Sequence, residues 1–398
     1  GNITNARLDD AVNRIYRTKE VVGLFNLHQP VISSYTAFGS QQHKNASKQA
    51  ALESITLLKN NGILPLKTNS KFLVAGPCAD NLVYLNGAWS HTWQGMDTSF
   101  NTKGCKTIAQ ALQEKYGEQC LFSKGVELFK EKEIEQSRFV SLEDYIKKLD
   151  EVETVVLCLG EVPATEKPGD IRSLHLDSKQ LELAKMAYAK HKNVILVLVE
   201  GRPRIIRDIV DSAGAIVQCY LPGDYGAEAL VELLSGEKNF SGKLPYTYPK
   251  YDGVIEFYDR SRSVDRSNVG DFAAFNPEWP FGFGLHYGEV RYEHLKSNEV
   301  LSENSPWEIT IDVINQSNRE IDEVVQLYVG DEFASMVPAG EQLKRFQKVK
   351  IPAGQTKEVR FVLTKEDLMF VNEAGEWVFE PGKFNFSIGT KKGSVVFK

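Results

Sequence analysis

Three short runs of apolar residues most constrain the fold of this chain. They span Thr154–Gly160, Val194–Val199 and Ala215–Tyr220, and each is continuous rather than alternating. Segments with helical spacing lie between them, at residues 178–190 and near 205–210. Continuous apolar strands separated by helices are typical of a mostly parallel sheet that helices cover on both faces. The sequence therefore predicts an α/β sandwich in this part of the chain.

The residue pattern changes along the chain and predicts four segments. Residues 1–42 hold one amphipathic helix and a linker, and residues 43–246 hold the α/β domain. Residues 247–285 are rich in aromatic residues, aspartate, serine, glycine and proline, which indicates an extended connector. In residues 286–398 apolar residues alternate with polar ones, as in the short strands of a β-sandwich. The predicted fold class is α/β plus all-β: a mostly parallel α/β sandwich and then a β-sandwich, preceded by one orphan helix.

Composition excludes several classes of protein. The 398 residues carry 47 Lys and Arg against 53 Asp and Glu, a net charge of −6, so the chain lacks the basic surface that nucleic acid requires. No apolar run reaches the ~18–20 residues that span a bilayer. Five cysteines without a CxxC pair and seven histidines without an HExxH motif predict no metal site. Glycine-rich phosphate loops and the GxSxG elbow are absent too, so we expect no cofactor and no catalytic serine of that type.

Three carboxylates follow the strand Thr154–Gly160, at the edge where ligands of parallel sheets bind. They are Glu161, Glu166 and Asp170. Glu166 lies in the middle of this loop, where its side chain can project outward as a general acid must. Solvated charges on an ordinary exposed loop are the alternative, and the residues alone leave both interpretations open.

Two tryptophans follow the predicted strand Lys71–Ala75. Trp89 and Trp93 stand among glycine, serine and threonine, which is unusual for a buried core segment. The apolar C–H faces of a sugar ring pack well on an indole, so tryptophans at a cleft mouth suit a saccharide. The alternative is that both indoles cover a sheet edge, and it stays open here.

Three polar residues near element ends are expected to have structural roles. Arg202 precedes a proline at a helix start and is predicted to pair with a nearby carboxylate. Asp177 is predicted to cap the helix over residues 178–190. Asp224 is predicted to cap the helix over Ala227–Leu234, with contact to a ligand as the alternative.

Several motifs along nearly the whole chain belong together. Residues 87–95 read GAWSHTWQG. The other segments are ARLDDAV at 6–12 with GLF at 23–25, SITLLKN at 54–60 with LPL at 64–66, LPG at 221–223, SGKLP at 241–245, WPFGFGL at 279–285 and EVVQLYV at 323–329. Read together, they resemble the carboxyl-terminal part of glycoside hydrolase family 3 β-glucosidases, in which the first motif is Gly-Gly-Trp-x-x-x-Trp-Gln-Gly. One such motif would be weak evidence, but all of them in this order are specific.

The resemblance implies part of a retaining, exo-acting β-glucosidase with a fibronectin type III-like β-sandwich. In that family an aspartate of a (β/α)8 barrel attacks the sugar, and a glutamate of the second domain acts as acid and then as base. Glu166, within EKPGD, matches that glutamate, and Trp89 matches the tryptophan that forms one wall of the acceptor-side subsite. Trp93, Glu161 and Asp170 are predicted to contact the substrate, a β-linked glucosyl oligosaccharide. Retention requires two carboxyl groups ~5–5.5 Å apart.

The chain departs from the family pattern because it lacks the barrel and the motif around the nucleophile, Ser-Asp followed by an aromatic residue. We therefore expect its partner to be the missing amino-terminal barrel domain, whose last helix the segment 1–26 resembles, and we expect this chain alone to be inactive. Glycan-degrading relatives imply a periplasmic or secreted protein whose signal segment is not in this chain. The alternative function is a non-catalytic saccharide-binding or interaction module.

Overall fold

The computed structural model describes residues 2–26, 35–131, 134–253, 258–259 and 276–398. The chain divides into two compact units, residues 1–46 and residues 47–398. Parts of the predicted linker and of the predicted connector lie outside the described residues, and the division into four segments stays a prediction. None of the described helices is long and apolar enough to cross a lipid bilayer.

The first unit is built around the helix α1 (Asn5–Val21). Thr4 caps it, because its hydroxyl oxygen accepts a hydrogen bond from the N–H of Arg7 at 3.3 Å. Leu8, Val12 and Ile15 lie on one stripe of α1 and remain about half exposed, at 51%, 49% and 57%. The helix predicted within residues 1–26 is confirmed.

The described residues from 41 to 234 form the α/β part of the molecule. Its helices are α2 (Gln41–Ser54), α3 (Ile108–Tyr116), α4 (Leu142–Leu149), α5 (Ser178–Ala189), α6 (Arg207–Val210) and α7 (Gly226–Leu234). Its strands are β1 (Thr56–Asn60), β2 (Phe72–Ala75), β3 (Cys120–Ser123), β4 (Val126–Glu131), β5 (Ile134–Phe139), β6 (Thr154–Gly160), β7 (Asn193–Val199) and β8 (Ala215–Gln218). One sheet has the strand order β1-β8-β7-β6-β2-β3, and every pairing in it except β1 with β8 is parallel. Strands β4 and β5 form a separate hairpin.

The central strands are apolar on both faces because helices cover the sheet on both sides. In β6 and β7 every residue after the first is buried. Successive side chains enter different cores, since Val156 belongs to one hydrophobic cluster and Val155 to the other. The mostly parallel sheet predicted from the continuous apolar runs is confirmed.

The direction of strand addition reverses between β2 and β6. From β2 the chain goes to β3 on one side, and after the β4–β5 hairpin it returns to β6 on the other side and continues to β7 and β8. Loops that follow β2 and β6 therefore leave neighbouring strands in opposite directions, which opens a crevice at their carboxyl ends. Both predicted site loops start there.

The carboxyl-terminal part is a β-sandwich. Its elements are β9 (Val290–Ser297), β10 (Val300–Leu301), β11 (Trp307–Asn315), β12 (Ile321–Asp331), β13 (Gln342–Ile351), β14 (Thr356–Leu363), α8 (Lys365–Leu368), β15 (Phe370–Val371), β16 (Trp377–Val378), β17 (Lys383–Ile388) and β18 (Lys391–Phe397). A five-stranded sheet, β10-β18-β17-β12-β13, faces a three-stranded sheet, β14-β11-β9. Between them Trp307 is fully buried and packs edge-on against Phe386 and Phe397. The predicted β-sandwich is confirmed.

A buried carboxylate joins the sandwich to the α/β part. Glu323 on β12 is 5% exposed and accepts hydrogen bonds from the Tyr292 hydroxyl at 2.8 Å and from Lys243 Nζ at 3.3 Å. His286 Nε2 lies 3.1 Å from the same carboxylate. Burial alone would raise the pKa of Glu323, but its contacts with His286 and Lys243 outweigh burial and lower it.

Candidate active site

The loop after β2 places two indoles at the surface. Trp89 has a left-handed backbone, with a φ of 60°, and its N–H donates to the carbonyls of Thr92 and Trp93, both at 3.1 Å. Gly95, with a φ of 73°, closes the turn. Glycine is required there, since a Cβ would lie 2.8 Å from the carbonyl oxygen of Gly87. Trp89 is 67% exposed and Trp93 is 48% exposed. The faces of both indoles are therefore available to a ligand.

The loop after β6 presents Glu166 to solvent. Its φ is 55°, its side chain is exposed, and its carbonyl oxygen accepts a hydrogen bond from the N–H of Gly169 at 2.8 Å. The 3-10 turn Lys167–Gly169 follows directly. A left-handed backbone costs a residue other than glycine ~1–3 kcal/mol and occurs most often at functional sites. The loop therefore holds Glu166 in a backbone conformation that the residue would not choose by itself.

The two loops meet at adjacent residues. The indole Nε1–H of Trp93 donates to Oε1 of Glu166 at 3.3 Å. Next to it, the side-chain amide of Gln94 pairs with the backbone of Thr165, donating to its carbonyl and accepting from its N–H, each at 3.2 Å. Residues 73 positions apart in the sequence thus form one surface with an indole beside a carboxylate.

Glu161 lies below this surface. It is 5% exposed, and its Oε1 accepts from the N–H of Arg202 at 2.8 Å. Its Oε2 accepts from Nε of Arg202 at 2.9 Å and from NH1 of Arg204 at 3.0 Å. The predicted pairing of Arg202 with a carboxylate is therefore confirmed.

Further carboxylates lie behind Glu161, and burial controls their protonation. The N–H of Val162 donates to Glu135 at 2.7 Å, and burial raises the pKa of Glu135 although Arg204 opposes the shift. Glu200 is fully buried, and burial raises its pKa from 4.5 to about 8. Burial behind the acidic loop therefore favours the neutral form of both Glu135 and Glu200.

The predicted site residues do not all meet. Trp93 contacts Glu166 directly, and Trp89 stands in the same turn as Trp93. Within the described residues, neither Glu161 nor Asp170 shares a hydrogen bond or an ion pair with Glu166. Asp170 is exposed. Their contact with substrate stays a prediction.

Asp224 fixes the indole loop from the opposite side. Its Oδ1 accepts from Nδ2 of Asn86 at 2.8 Å and from Nδ2 of Asn101 at 3.2 Å, and His91 Nε2 lies 3.2 Å away. Its Oδ2 accepts from the N–H of Thr102 at 2.9 Å. Burial alone would raise the pKa of Asp224, but these hydrogen bonds outweigh it and hold the pKa below its ordinary value.

The prediction that Asp224 caps α7 is wrong. The N-cap of α7 is Tyr225, and no side chain caps that end. Asp224 is one position too early and its oxygens are taken by the loop over residues 86–102. Asp177, in contrast, does cap α5, with its carboxylate accepting from the N–H of Lys179 at 3.0 Å.

No group of three or more His, Cys, Asp or Glu side chains that could hold a metal ion lies within the described residues. The chemistry that the site offers is that of an exposed carboxyl group beside an indole. Such a carboxyl group can give a proton to a leaving group and take one from water.

Comparison with known families identifies the chain. The profile of the glycosyl hydrolase family 3 C-terminal domain matches residues 55–287, which is more than half of the chain. That of a fibronectin type III-like domain matches residues 323–392. The chain therefore belongs to glycoside hydrolase family 3, and the resemblance inferred from the motifs is confirmed.

Individual relatives are similar along nearly the whole chain. A protein named lysosomal beta glucosidase from Dictyostelium discoideum is 30% identical over 413 residues, covering 98% of this chain and 49% of the relative. A periplasmic beta-glucosidase from Salmonella typhimurium is 28% identical over 438 residues, covering 99% and 55%. The crystal structure of a beta-glucosidase from Listeria innocua is 26% identical with a TM-score of 0.83, covering 100% of this chain and 56% of its own. This chain spans about half the length of the relatives that it matches.

Proposed function

We propose that this chain supplies the general acid/base and one wall of the sugar site of a retaining, exo-acting β-glucosidase. The observation that carries the proposal is the contact between Trp93 and Glu166. It places an exposed carboxyl group beside an exposed indole, so a sugar ring packed on the indole face would have its glycosidic oxygen near the carboxyl group. The substrate is a β-linked glucosyl oligosaccharide with a terminal glucose.

Glu166 acts twice in the proposed reaction. As an acid it gives its proton to the glycosidic oxygen while the C–O bond breaks and the shortened saccharide leaves. As a base it then removes a proton from the water that attacks the covalent glucosyl intermediate, which restores its acidic form. The carboxylate that forms the covalent bond must stand ~5–5.5 Å away. We assign that nucleophile to a barrel domain outside this chain, since Glu161 is buried and engaged by two arginines.

Trp89 completes the sugar site in this proposal. Its indole is 67% exposed and forms a wall for the sugar unit on the leaving side. Asp170 is exposed on the same loop as Glu166 and contributes a hydrogen bond to substrate hydroxyls. One of the relatives named above, from Salmonella typhimurium, is called periplasmic, which supports action in the periplasm or after secretion.

The deciding variant is Glu166→Gln in the full-length protein that contains this chain. We expect kcat/KM to fall by ~10²–10⁴ for β-glucosides with poor leaving groups, because those need protonation. For dinitrophenyl β-glucoside, whose leaving group departs unprotonated, kcat/KM for the first step should fall much less. Added azide should restore turnover and give β-glucosyl azide, because a small anion can attack the intermediate without base assistance. The rates and the azide product are measured together.

The matched control is Glu182→Gln, which changes an exposed glutamate on α5 that makes no side-chain pair in the described part of the chain. It should behave as the wild type. An equal loss for all leaving groups in Glu166→Gln, without an azide product, would remove Glu166 from the role of acid/base. The separate chain of 398 residues should show no turnover of any of these substrates, and turnover that survives repurification would place the nucleophile within it.

A non-catalytic saccharide-binding module is the second candidate, and the exposure of Trp89 and Trp93 favours it. In that case the separate chain should bind cello- or laminari-oligosaccharides in calorimetric titration, and Trp89→Ala should abolish the heat. Trp377→Ala is the matched control, because Trp377 in the β-sandwich is also 67% exposed. Absence of binding at millimolar saccharide would reject this candidate.

A further inference from the structure

One arginine joins both ends of the loop that carries Glu166. At the start of the loop, Arg202 donates to Glu161 through its backbone N–H at 2.8 Å and through Nε at 2.9 Å, and its NH2 lies 2.7 Å from Oε2. At the end of the loop, NH1 of the same guanidinium donates to the carbonyl oxygen of Gly169. A planar fork of donors suits this task, because one rigid group fixes two points at once.

The second anchor point lies one turn from Glu166. The N–H of Gly169 donates to the carbonyl oxygen of Glu166 at 2.8 Å, while the carbonyl of Gly169 accepts from Arg202. The backbone N–H and C=O of Gly169 therefore link the guanidinium to the backbone of Glu166 through two hydrogen bonds. Gly169 also packs closely, since a Cβ there would lie 3.3 Å from Ala164.

Glu166 needs such support because little else holds it. Its side chain is exposed, and its hydrogen bond with Trp93 is long at 3.3 Å. Its backbone has a φ of 55°, which is unfavourable for glutamate. The position of the carboxyl group is therefore set by the loop, which Arg202 anchors at Glu161 and Gly169 and the Gln94 side chain anchors at Thr165.

If Arg202 is replaced, the buried side chain of Glu161 still has an arginine partner. Arg204 is 5% exposed and keeps its contact with Oε2 of Glu161 at 3.0 Å. It is held in turn by the carbonyl of His175 at 3.0 Å and by Glu135 at 3.4 Å. Arg202, at the exposed side of the cluster, can thus be changed while the buried ion pair between Arg204 and Glu161 remains.

We propose that Arg202 is the positioning residue for Glu166, acting through Glu161 and the carbonyl of Gly169. The inference rests on the proposed function of Glu166 as general acid/base. It also gives Glu161 a positioning role, because both of its oxygens already have arginine or backbone donors. A carboxyl group displaced by about 1 Å loses on the order of 10²-fold in rate, so the support is kinetically important.

The test is Arg202→Met in the full-length protein, compared with Glu166→Gln. We expect kcat/KM for unactivated β-glucosides to fall about 10- to 100-fold. For dinitrophenyl β-glucoside, kcat/KM should change less than about threefold in the same variant, because its leaving group requires no acid. KM for the unactivated β-glucosides should stay close to the wild-type value, because the first step limits their turnover. A purely structural role for Arg202 would not produce this dependence on the leaving group.

Arg172→Met is the matched control, since Arg172 is an exposed arginine three residues beyond Gly169 with no side-chain pair in the described residues. It should retain wild-type rates. If Arg202→Met does not fold, Arg202→Lys keeps the charge with fewer donors and should show the same dependence at smaller size. An equal loss for all substrates, no loss, or failure of both variants to fold would overturn the proposal. Absence of the leaving-group dependence in Glu166→Gln would instead remove the proposed function.

Discussion

At the scale of single residues, Glu166 and Trp89 both have a positive φ, which is uncommon for residues other than glycine. Their φ angles are 55° and 60°, in the left-handed region that usually belongs to glycine. Both residues lie in loops. Arg202 anchors the loop that carries Glu166, and Asp224 anchors the loop that carries Trp89. Hydrogen bonds with Arg202 and Asp224 therefore help to maintain the unfavourable backbone angles of Glu166 and Trp89.

A second residue-scale feature is the buried carboxyl group of Glu200. Burial raises its pKa from 4.5 to about 8 in the folded protein. Between these values the folded state holds a proton that the unfolded chain has released, so the free energy of unfolding decreases as the pH rises. Glu200→Gln removes this titration. We expect the stability of the variant relative to wild type to increase from pH ~4.5 to ~8, by on the order of a few kcal/mol, and to level off above.

The measurement is denaturant unfolding of both proteins at several pH values. Glu299→Gln, which changes an exposed glutamate, serves as the control and should give a difference that does not vary with pH. Parallel stability curves for Glu200→Gln and wild type would show that Glu200 is ionised in the folded state throughout the range.

Sequence patterns predicted the pairing of Arg202 with a carboxylate and one local helix cap, but missed most contacts that act across loops. Asp177 stands directly before an apolar helix and was predicted correctly as its cap. Asp224 was misassigned because its partners, residues 86–102, lie more than 120 positions away. Glu135 and Glu200 also gave no signal, since their importance depends on burial behind another loop. The proposed role of Glu166 rests on a family motif, and its contact with Trp93 is visible only in the structure.

At the scale of elements, the close approach of β6 and β7 depends on Gly160. A Cβ at this position would lie 1.9 Å from the carbonyl oxygen of Val199 and 3.0 Å from Sγ of Cys78. The buried side chain of Gln180 on α5 pairs with both the N–H and the C=O of Gly160, at 2.9 and 2.8 Å. The carboxyl end of β6, from which the acidic loop starts, is therefore tightly enclosed.

Gly160→Ala should consequently displace the end of β6. Overpacking of this kind costs typically ~1–3 kcal/mol, and we expect at least that loss in the free energy of unfolding. Gly382→Ala is the control, because a Cβ at Gly382 has no atom within 4 Å. Thermal unfolding of the two variants should separate them clearly. Equal melting temperatures would mean that β6 and β7 move apart at little cost.

The central strands could be predicted because burial on both faces leaves long apolar runs, as in β6 and β7. Strand β1 and the β4–β5 hairpin were not predicted. The β4–β5 segment, VELFKEKEIEQSRF, does not alternate regularly, has four consecutive charged residues at 130–133 and carries no turn signal of glycine or proline. Glu135 lies on this hairpin, so its position behind the acidic loop could not be predicted either.

At the scale of the whole molecule, Glu323 connects the β-sandwich to the α/β part. It takes part in one buried cluster with Lys243 and His286, which both precede β9, the first strand of the sandwich. Removal of one member of a buried ion pair costs ~3–5 kcal/mol, because the remaining charge loses its partner. We expect Glu323→Gln to lower the stability by this order and to uncouple the unfolding of the sandwich from that of the α/β part.

Scanning calorimetry can detect the uncoupling as two separate heat-absorption peaks in Glu323→Gln where the wild type shows overlapping ones. Glu308→Gln is the control, since Glu308 pairs with Arg360 on the exposed surface of the same sandwich. Exposed pairs contribute only ~0–1 kcal/mol, so this control should unfold almost as the wild type does. A single unshifted peak in Glu323→Gln would show that the two parts are held together by other contacts.

The contact between Trp93 and Glu166 also gives the molecule an intrinsic optical reporter. The emission of an indole responds to charge and polarity beside its ring nitrogen, and Nε1 of Trp93 lies 3.3 Å from a carboxylate oxygen. The chain contains five tryptophans, so replacing the other four by phenylalanine would leave an emission signal that comes from this contact alone. The separation of the two loops could then be followed in real time without any attached dye.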